Sequence, residues 1–190
     1  IMEYLLHRGA DIEAISNDGH KTALLLASYG GHVDAVTFLL RSGAQINAAN
    51  SRGDTSIAIA SYMNHVDVVD VLLKRRANIL LATKEHKYTL LHLAAYKGYT
   101  DVISYFLHSD DEHVNDIVNA KDKEGNSPMM LASIQGHGEV LRLLLNYESC
   151  DQSLLDNLGN SAVILAANRG HLECLEILEE YGLDLDLTNT

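Results

Sequence analysis

Tryptophan is absent from this 190-residue chain, proline occurs once and cysteine only twice. With few helix breakers and abundant Leu and Ala, the composition favours mostly α structure. A single pair of cysteines, Cys150 and Cys174, makes no disulfide scaffold, and two reduced thiols in a reducing compartment are expected. No apolar run is long enough to cross a bilayer, and no basic-then-apolar leader opens the chain. Cations are also scarce: 14 Lys and Arg stand against 26 Asp and Glu, a formal charge of −12. Such a chain lacks the basic surface that grips phosphate backbones, so nucleic acid is not an expected partner. Missing too are a glycine-rich phosphate cradle, a GxSxG elbow, an HExxH motif and a CxxC pair. The expectation is therefore a chain with no catalytic residues, no cofactor and no metal site.

What the sequence does have is self-similarity. A Ser or Thr followed by apolar residues and Ala reads TALLLAS from Thr22, TSIAIAS from Thr55, TLLHLAA from Thr89, SPMMLAS from Ser127 and SAVILAA from Ser161, at spacings of 33, 34, 38 and 34 residues. A turn follows each anchor, at Gly31-His32, Asn64-His65, Gly98-Tyr99, Gly136-His137 and Gly170-His171. A second apolar run comes next: VDAVTFLL, VDVVDVLL, TDVISYFL, GEVLRLLL and LECLEILE. Both runs carry helical periodicity, so each unit is helix, tight turn, helix. The anchor hydroxyl suits a helix N-cap, where it accepts from an orphaned backbone N–H. Pro128 exploits the tolerance of proline just inside a helix start, a place otherwise held by Ala23, Ser56, Leu90 and Ala162. Small residues at 27–28, 60–61, 94–95, 132–133 and 166–167 allow close helix approach.

These motifs resemble the ankyrin repeat, whose start reads TPLH-x-A and whose period is about 33 residues. The stretch from Thr89 to Leu107 matches best, and the resemblance covers essentially all of residues 1–190, as one partial unit and five fuller ones. IMEYLLHRGADIEA, at the start, is similar to the second helix and loop of an earlier unit. The resemblance implies an all-α solenoid of stacked helix-turn-helix units joined by β-hairpin-like fingers. The fingers would centre near residues 11–20, 45–54, 79–88, 117–126 and 151–160, with the start of another at 184–190. A partner would dock on the concave face formed by fingers and first helices. Because the chain opens in mid-helix, it is expected to be a piece of a longer protein.

The pattern has breaks. Gly9, Gly43 and Gly182 fit a left-handed cap after the second helix. Arg76 and Glu148 stand in the corresponding places of two middle units, so either a non-glycine residue takes that conformation or the loops differ. The segment 108–119, HSDDEHVNDIVN, is about five residues too long and reads as a tolerated surface insertion, the alternative being a dedicated contact loop. Its Asp110, Asp111, Glu112 and His113 are too tightly spaced for a metal site with full geometry. Glu179 replaces an expected buried Leu, which places the last unit near the end of the stack, whereas Asp186–Thr190 resemble another finger. By the resemblance, His32, His65, His92, His137 and His171 are structural, tying loops to helices. Cys174 fills an apolar helical position, and the acids beside Cys150 disfavour its thiolate.

One register position, two residues before the turn glycine, holds Tyr29, Tyr62, Tyr96, Ile134 and Asn168. In the resembled family it faces the groove. Tyrosine combines area, a polar tip and low entropy loss. With helices about 8–10 Å apart, Tyr29 and Tyr96 would be about 16–20 Å apart, a ladder rather than a cage. The candidate partner-binding residues are Tyr29, Tyr62, Tyr96, Tyr88, Ile134, Arg52, Asp54, Lys97 and Arg169. The finger residues balance in charge, so the groove is expected to be mixed aromatic and polar. The functional expectation is a non-catalytic scaffold, cytoplasmic or nuclear, that binds an extended or helical segment of a protein partner without entering a membrane. The alternative is a regulatory or targeting segment of a larger enzyme or channel. Oligomeric state is not legible. The resemblance also makes Asn47 and Asn119 candidates for hydroxylation.

Overall fold

The computed structural model describes residues 8–184. The partial helix expected at the start and the finger expected at 184–190 therefore lie, wholly or nearly so, outside the described residues. The chain divides into two compact units, residues 1–84 and 85–190. Among the described residues the structure is helical, with one isolated bridge between Ala49 and Thr55. No helix is long and apolar enough to cross a membrane among those residues.

The first unit contains two helical hairpins. Helix α1 (Ala23–Tyr29) turns into α2 (Val33–Arg41), and α3 (Ser56–Tyr62) turns into α4 (Val66–Lys74). Thr22 and Thr55 cap α1 and α3 as their sequences imply, accepting from the backbone N–H of Leu25 and Ala58. The hairpins bury Leu24, Leu25, Val36 and Leu39 against Ile57, Ala60, Val68 and Leu72. Neither hairpin could enclose those side chains alone, so packing of neighbours supplies the core.

The second unit contains three hairpins and one additional helix. The hairpins are α5 (Leu90–Lys97) with α6 (Thr100–Leu107), α8 (Pro128–Gln135) with α9 (Gly138–Leu145), and α10 (Ala162–Arg169) with α11 (Leu172–Glu180). The extra helix, α7 (Val114–Val118), falls within the long segment after α6. Val114, Ile117 and Val118 of α7 are buried. The segment is thus more than a surface insertion, because it adds three apolar side chains to the core. In its polar part, Asp111 caps the backbone N–H of His113 at 2.9 Å.

Both alternatives for the missing cap glycines occur. Arg76 takes φ +60°, the left-handed state that Gly9, Gly43 and Gly182 adopt. Its N–H bonds to Leu73 O at 2.8 Å, closing the same helix end as Gly43 N–H on Leu40 O. The strain relative to glycine is roughly 1 kcal/mol. Glu148 is not in that state; after α9 the chain turns through Tyr147 N–H on Leu144 O and Cys150 N–H on Tyr147 O. Glu179 is exposed, as are Glu173, Glu176 and Glu180.

The five small residue pairs are buried except for Ala167. Ser61 and Ser133 bond back to the carbonyls of Ile57 and Met129, four residues earlier. The Oγ atoms of Ser28 and Ser56 are buried without a hydrogen-bond partner. Ser56 is the first residue of α3, where Pro128 stands in α8, and Thr55 before it is extended, at φ −86° and ψ 168°, compatible with a following proline. Ser56→Pro should therefore raise stability by about 1 kcal/mol or more, by removing an unsatisfied hydroxyl and restricting the unfolded chain. Chemical denaturation checks this, with Ser56→Ala separating the hydroxyl contribution from the ring. An unchanged or lowered midpoint for both variants would contradict the assignment.

Candidate partner-binding face

The fingers before Thr55, Ser127 and Ser161 are built from a side-chain staple, whereas Lys84 holds the corresponding position before Thr89. Five residues before the anchor Ser or Thr, an Asn or Asp oxygen collects the backbone N–H groups of the turn. Asn50 Oδ1 accepts from Arg52 and Asp54 N–H at 2.9 and 3.0 Å. Asp122 Oδ1 accepts from Glu124 and Asn126 at 2.9 and 2.8 Å. Asp156 Oδ1 does the same for Leu158 and Asn160, each at 2.8 Å. Burial alone would raise the Asp156 carboxyl, but the hydrogen bonds from Asn160, Leu158 and Gly159 hold it below its ordinary value. A backbone bond across each turn gives the hairpin form, as in Asp122 N–H to Asn126 O at 2.9 Å. The sequence carries this staple as an Asn or Asp, a Gly three residues on and the anchor two after that, a pattern that the helical periodicity does not display.

Adjacent fingers are joined by single backbone bonds. In the first unit, Ser51 N–H bonds to Gly19 O at 3.2 Å and Lys84 N–H to Arg52 O at 2.8 Å. In the second, Lys123 N–H bonds to His86 O and Asn157 N–H to Glu124 O, both at 2.9 Å. Lower in the loops, Asn47 Oδ1 accepts from Asn78 N–H at 2.9 Å, and Asn119 Oδ1 from Asp151 N–H at 2.8 Å. Both asparagines are thus joined to the following loop.

The turn histidines fix the first helices. His65 Nε2 donates to Tyr29 O at 3.0 Å. His137 Nε2 donates to Tyr96 O at 3.1 Å, and His171 Nε2 to Ile134 O at 3.0 Å. The carbonyls held this way belong to the residues whose side chains were selected as contact candidates. The same rings explain three glycines. A Cβ on Gly31 would lie 2.8 Å from His65 Nδ1, one on Gly98 2.7 Å from His137 Nδ1, and one on Gly136 2.6 Å from His171 Nδ1, while all three residues have positive φ.

Tyr29, Tyr62 and Tyr96 expose 59%, 38% and 39% of their surface, far more than other aromatic rings of the core such as Phe106. Tyr29 and Tyr62 end α1 and α3, which pack together in the first unit. In the second unit, Tyr88 is half-buried between His86, with centroids 5.2 Å apart, and His92, at 5.8 Å. Tyr96 lies 6.4 Å from Tyr88. Burial, then the carboxylates of Asp122 and Glu124, push the Tyr88 phenol up to about 12.

The other candidates are more dispersed. Arg52 is exposed and its Nε donates to Asp54 Oδ2 at 3.0 Å. Asp54 Oδ2 also accepts from Asn50 Nδ2 at 2.8 Å, so this carboxylate belongs to the staple. Lys97 and Ile134 are half-buried and Arg169 is exposed, each in the last turn of its helix. Both cysteine thiols are buried and pushed up to about 11, mainly by desolvation, with Asp151 and Glu173 adding to it.

His92 is fully buried and donates from Nε2 to Asn126 O at 3.0 Å. Its Nδ1 accepts from Thr89 N–H at 3.2 Å and faces Thr89 Oγ1 at 2.8 Å. A proton on Nδ1 would oppose that N–H donor. Burial lowers the His92 pKa below its ordinary 6.5, against the Asn126 bond and the Asp122 charge. Because the folded form binds this proton less readily than the unfolded chain, the His92 contribution is complete above about 6.5 and is lost as pH falls. Leu25, Ala58, Met130 and Ile164 occupy the same register. His92→Leu should therefore flatten the decline of unfolding free energy between about pH 6.5 and 5, measured by urea denaturation at each pH. Parallel declines for the two proteins would refute this.

The comparisons with known proteins agree with this architecture. The family model described as ankyrin repeats matches three overlapping stretches, residues 1–83, 52–117 and 91–189. A curated mouse (Mus musculus) protein, "Protein fem-1 homolog A-like", is 30% identical over 147 residues. That alignment covers 76% of this chain but 16% of the relative, so the chain corresponds to a small part of it. With family matches along nearly its whole length, the chain belongs to the ankyrin-repeat family.

Proposed function

We propose that this chain is a non-catalytic protein-interaction module that takes an extended or helical segment of a protein partner against the first helices and fingers of its units. The observation that carries the reading is the exposure of Tyr29, Tyr62 and Tyr96 at one repeated position. Tyr29 and Tyr96 also have their backbone carbonyls held by His65 and His137. A ring on a fixed backbone loses little entropy when it meets a partner, which favours affinity.

In the first unit Arg52 adds a cation, positioned by Asp54; in the second, Lys97 and Arg169 add cations and Ile134 adds apolar area. Tyr88 supports Tyr96 from below by ring contact. Membership of a family whose repeats generally mediate protein–protein interaction supports the same reading. The raised thiol pKa values support a binding role over a nucleophilic one, since both cysteines are held as neutral thiols. We place the module in the cytoplasm or nucleus, where two buried thiols remain reduced. The curated relative is far longer than this chain, and a role within a larger protein is the second reading.

Replacing Tyr29, Tyr62 and Tyr96 together with Ala should reduce recovery of partners in affinity capture read by mass spectrometry by about tenfold or more. Circular dichroism and the melting midpoint monitor the fold. Undiminished capture by a folded triple variant would overturn the proposal.

A further inference from the structure

The first unit contains a second feature, at the opposite end of its helical hairpins from Tyr29 and Tyr62. Helix α2 runs back from the turn after Tyr29 for nine residues, about 13 Å, and ends at Arg41. Helix α4 likewise runs back from the turn after Tyr62 and ends at Lys74, followed by Arg75 and Arg76. The edge where α2 and α4 end therefore presents Arg41, Lys74, Arg75 and Arg76.

Asp34 and Asp67 lie in the first turns of α2 and α4, at the other end of those helices, and three further acids make local contacts. Asp70 receives Lys74 Nζ at 2.9 Å, Asp11 receives Glu13 N–H at 2.9 Å, and Glu13 receives Gln45 N–H at 2.8 Å. Arg41, Arg75 and Arg76 make no ion pair among the described residues. Arg41 and Lys74 are accounted for by their favourable position in the last turn of a helix. Arg76 is not. It lies beyond the helix, exposed, in a left-handed state where three other units use glycine, at Gly9, Gly43 and Gly182. Glycine there would close the same cap without strain, so an arginine at this place calls for a role outside the fold.

We infer that Arg41, Arg75 and Arg76 form a docking edge for a short acidic polypeptide segment of a partner. Packed helices such as α2 and α4 lie about 8–10 Å apart, the span of carboxylates about three residues apart on one face of a polyproline-type segment rising about 3.1 Å per residue. Three cations suit such a segment and are too few for a polyanion. The remainder of the chain disfavours a polyanion further, because residues 85–190 contain 18 acidic and 6 basic residues. This edge is separate from the tyrosine face, and neither depends on the other.

The test uses the whole chain and a fluorescent peptide with glutamate at every third position and glycine between. Anisotropy should show binding at about 50 mM salt that weakens by about 200 mM. Arg76→Gly should raise the melting midpoint by relieving the backbone, and yet weaken the peptide about three- to tenfold. Adding Arg41→Gln and Arg75→Gln should abolish binding, whereas Lys123→Gln, on a finger, should leave it unchanged. Several results would overturn the inference: no binding by the wild-type chain, equal binding by a stabilised Arg76→Gly variant, or equal loss with Lys123→Gln. Equal binding of a glutamine-substituted peptide would do so as well, as would stronger capture of duplex DNA or phosphatidylserine vesicles than of the peptide.

Discussion

A helical hairpin of two short helices cannot enclose its own apolar face, and the rest of this structure follows from that constraint. Leu24 and Leu25 of α1 are buried because α3 lies against them, and Met129 and Met130 of α8 because α5 and α10 do. Neighbours must then be held in one register, and polar contacts do this at three levels. The histidine ring bonds to a first-helix carbonyl, the fingers share single backbone bonds, and the loop asparagines accept from the following loop. Each of these contacts spans roughly one repeat of sequence. Their net value is modest individually, about 1 kcal/mol for a neutral hydrogen bond. Repetition makes them effective, because a shift of one unit against its neighbour would break all three at once.

This periodic logic is why so much of the fold was legible. The Ser or Thr anchors became N-caps and the apolar runs became helices, because each is a local requirement repeated in every copy, and His65, His137 and His171 became backbone ties to the preceding first helix. Departures were less legible in proportion to how far they left the period. Arg76 and Glu148 look equivalent by alignment, but one keeps the cap with a strained arginine and the other abandons it. Backbone conformation after a helix depends on the next several residues, and the sequence 147–150 turns differently from 76–79. The segment 108–119 misled for a related reason. Its polar residues dominate the count, while Val114, Ile117 and Val118 reach the core only if a short helix brings them to one side.

The candidate face was legible in part. A repeated position identifies residues that share an environment, and the three tyrosines there are indeed exposed. Period alone does not reveal what else a side chain is doing. Asp54 was selected as a surface charge, yet its Oδ2 is held by Asn50 and Arg52 within the finger. Tyr88 is a candidate contact residue, yet it is the middle of a ring stack with His86, His92 and Tyr96. Those relations come from residues brought together by the turn of a finger, which the repeat period does not display.

The staple also determines where the fingers can vary. Its first position needs an oxygen able to accept two backbone N–H groups, which either Asn50 or Asp122 provides. The partner four residues on is the complementary type, Asp54 in one case and Asn126 in the other. Exchanging amide and carboxylate leaves the turn unchanged, so finger shape does not constrain the charge of the tip. The residue two beyond the staple is Arg52 in one finger, Glu124 in another and Leu158 in a third, each exposed, with Leu158 at 82%. A cation, an anion and an apolar side chain thus occupy equivalent positions on the same backbone. The fold fixes where these groups stand, and the sequence at a single position in each finger sets which chemistry it offers a partner.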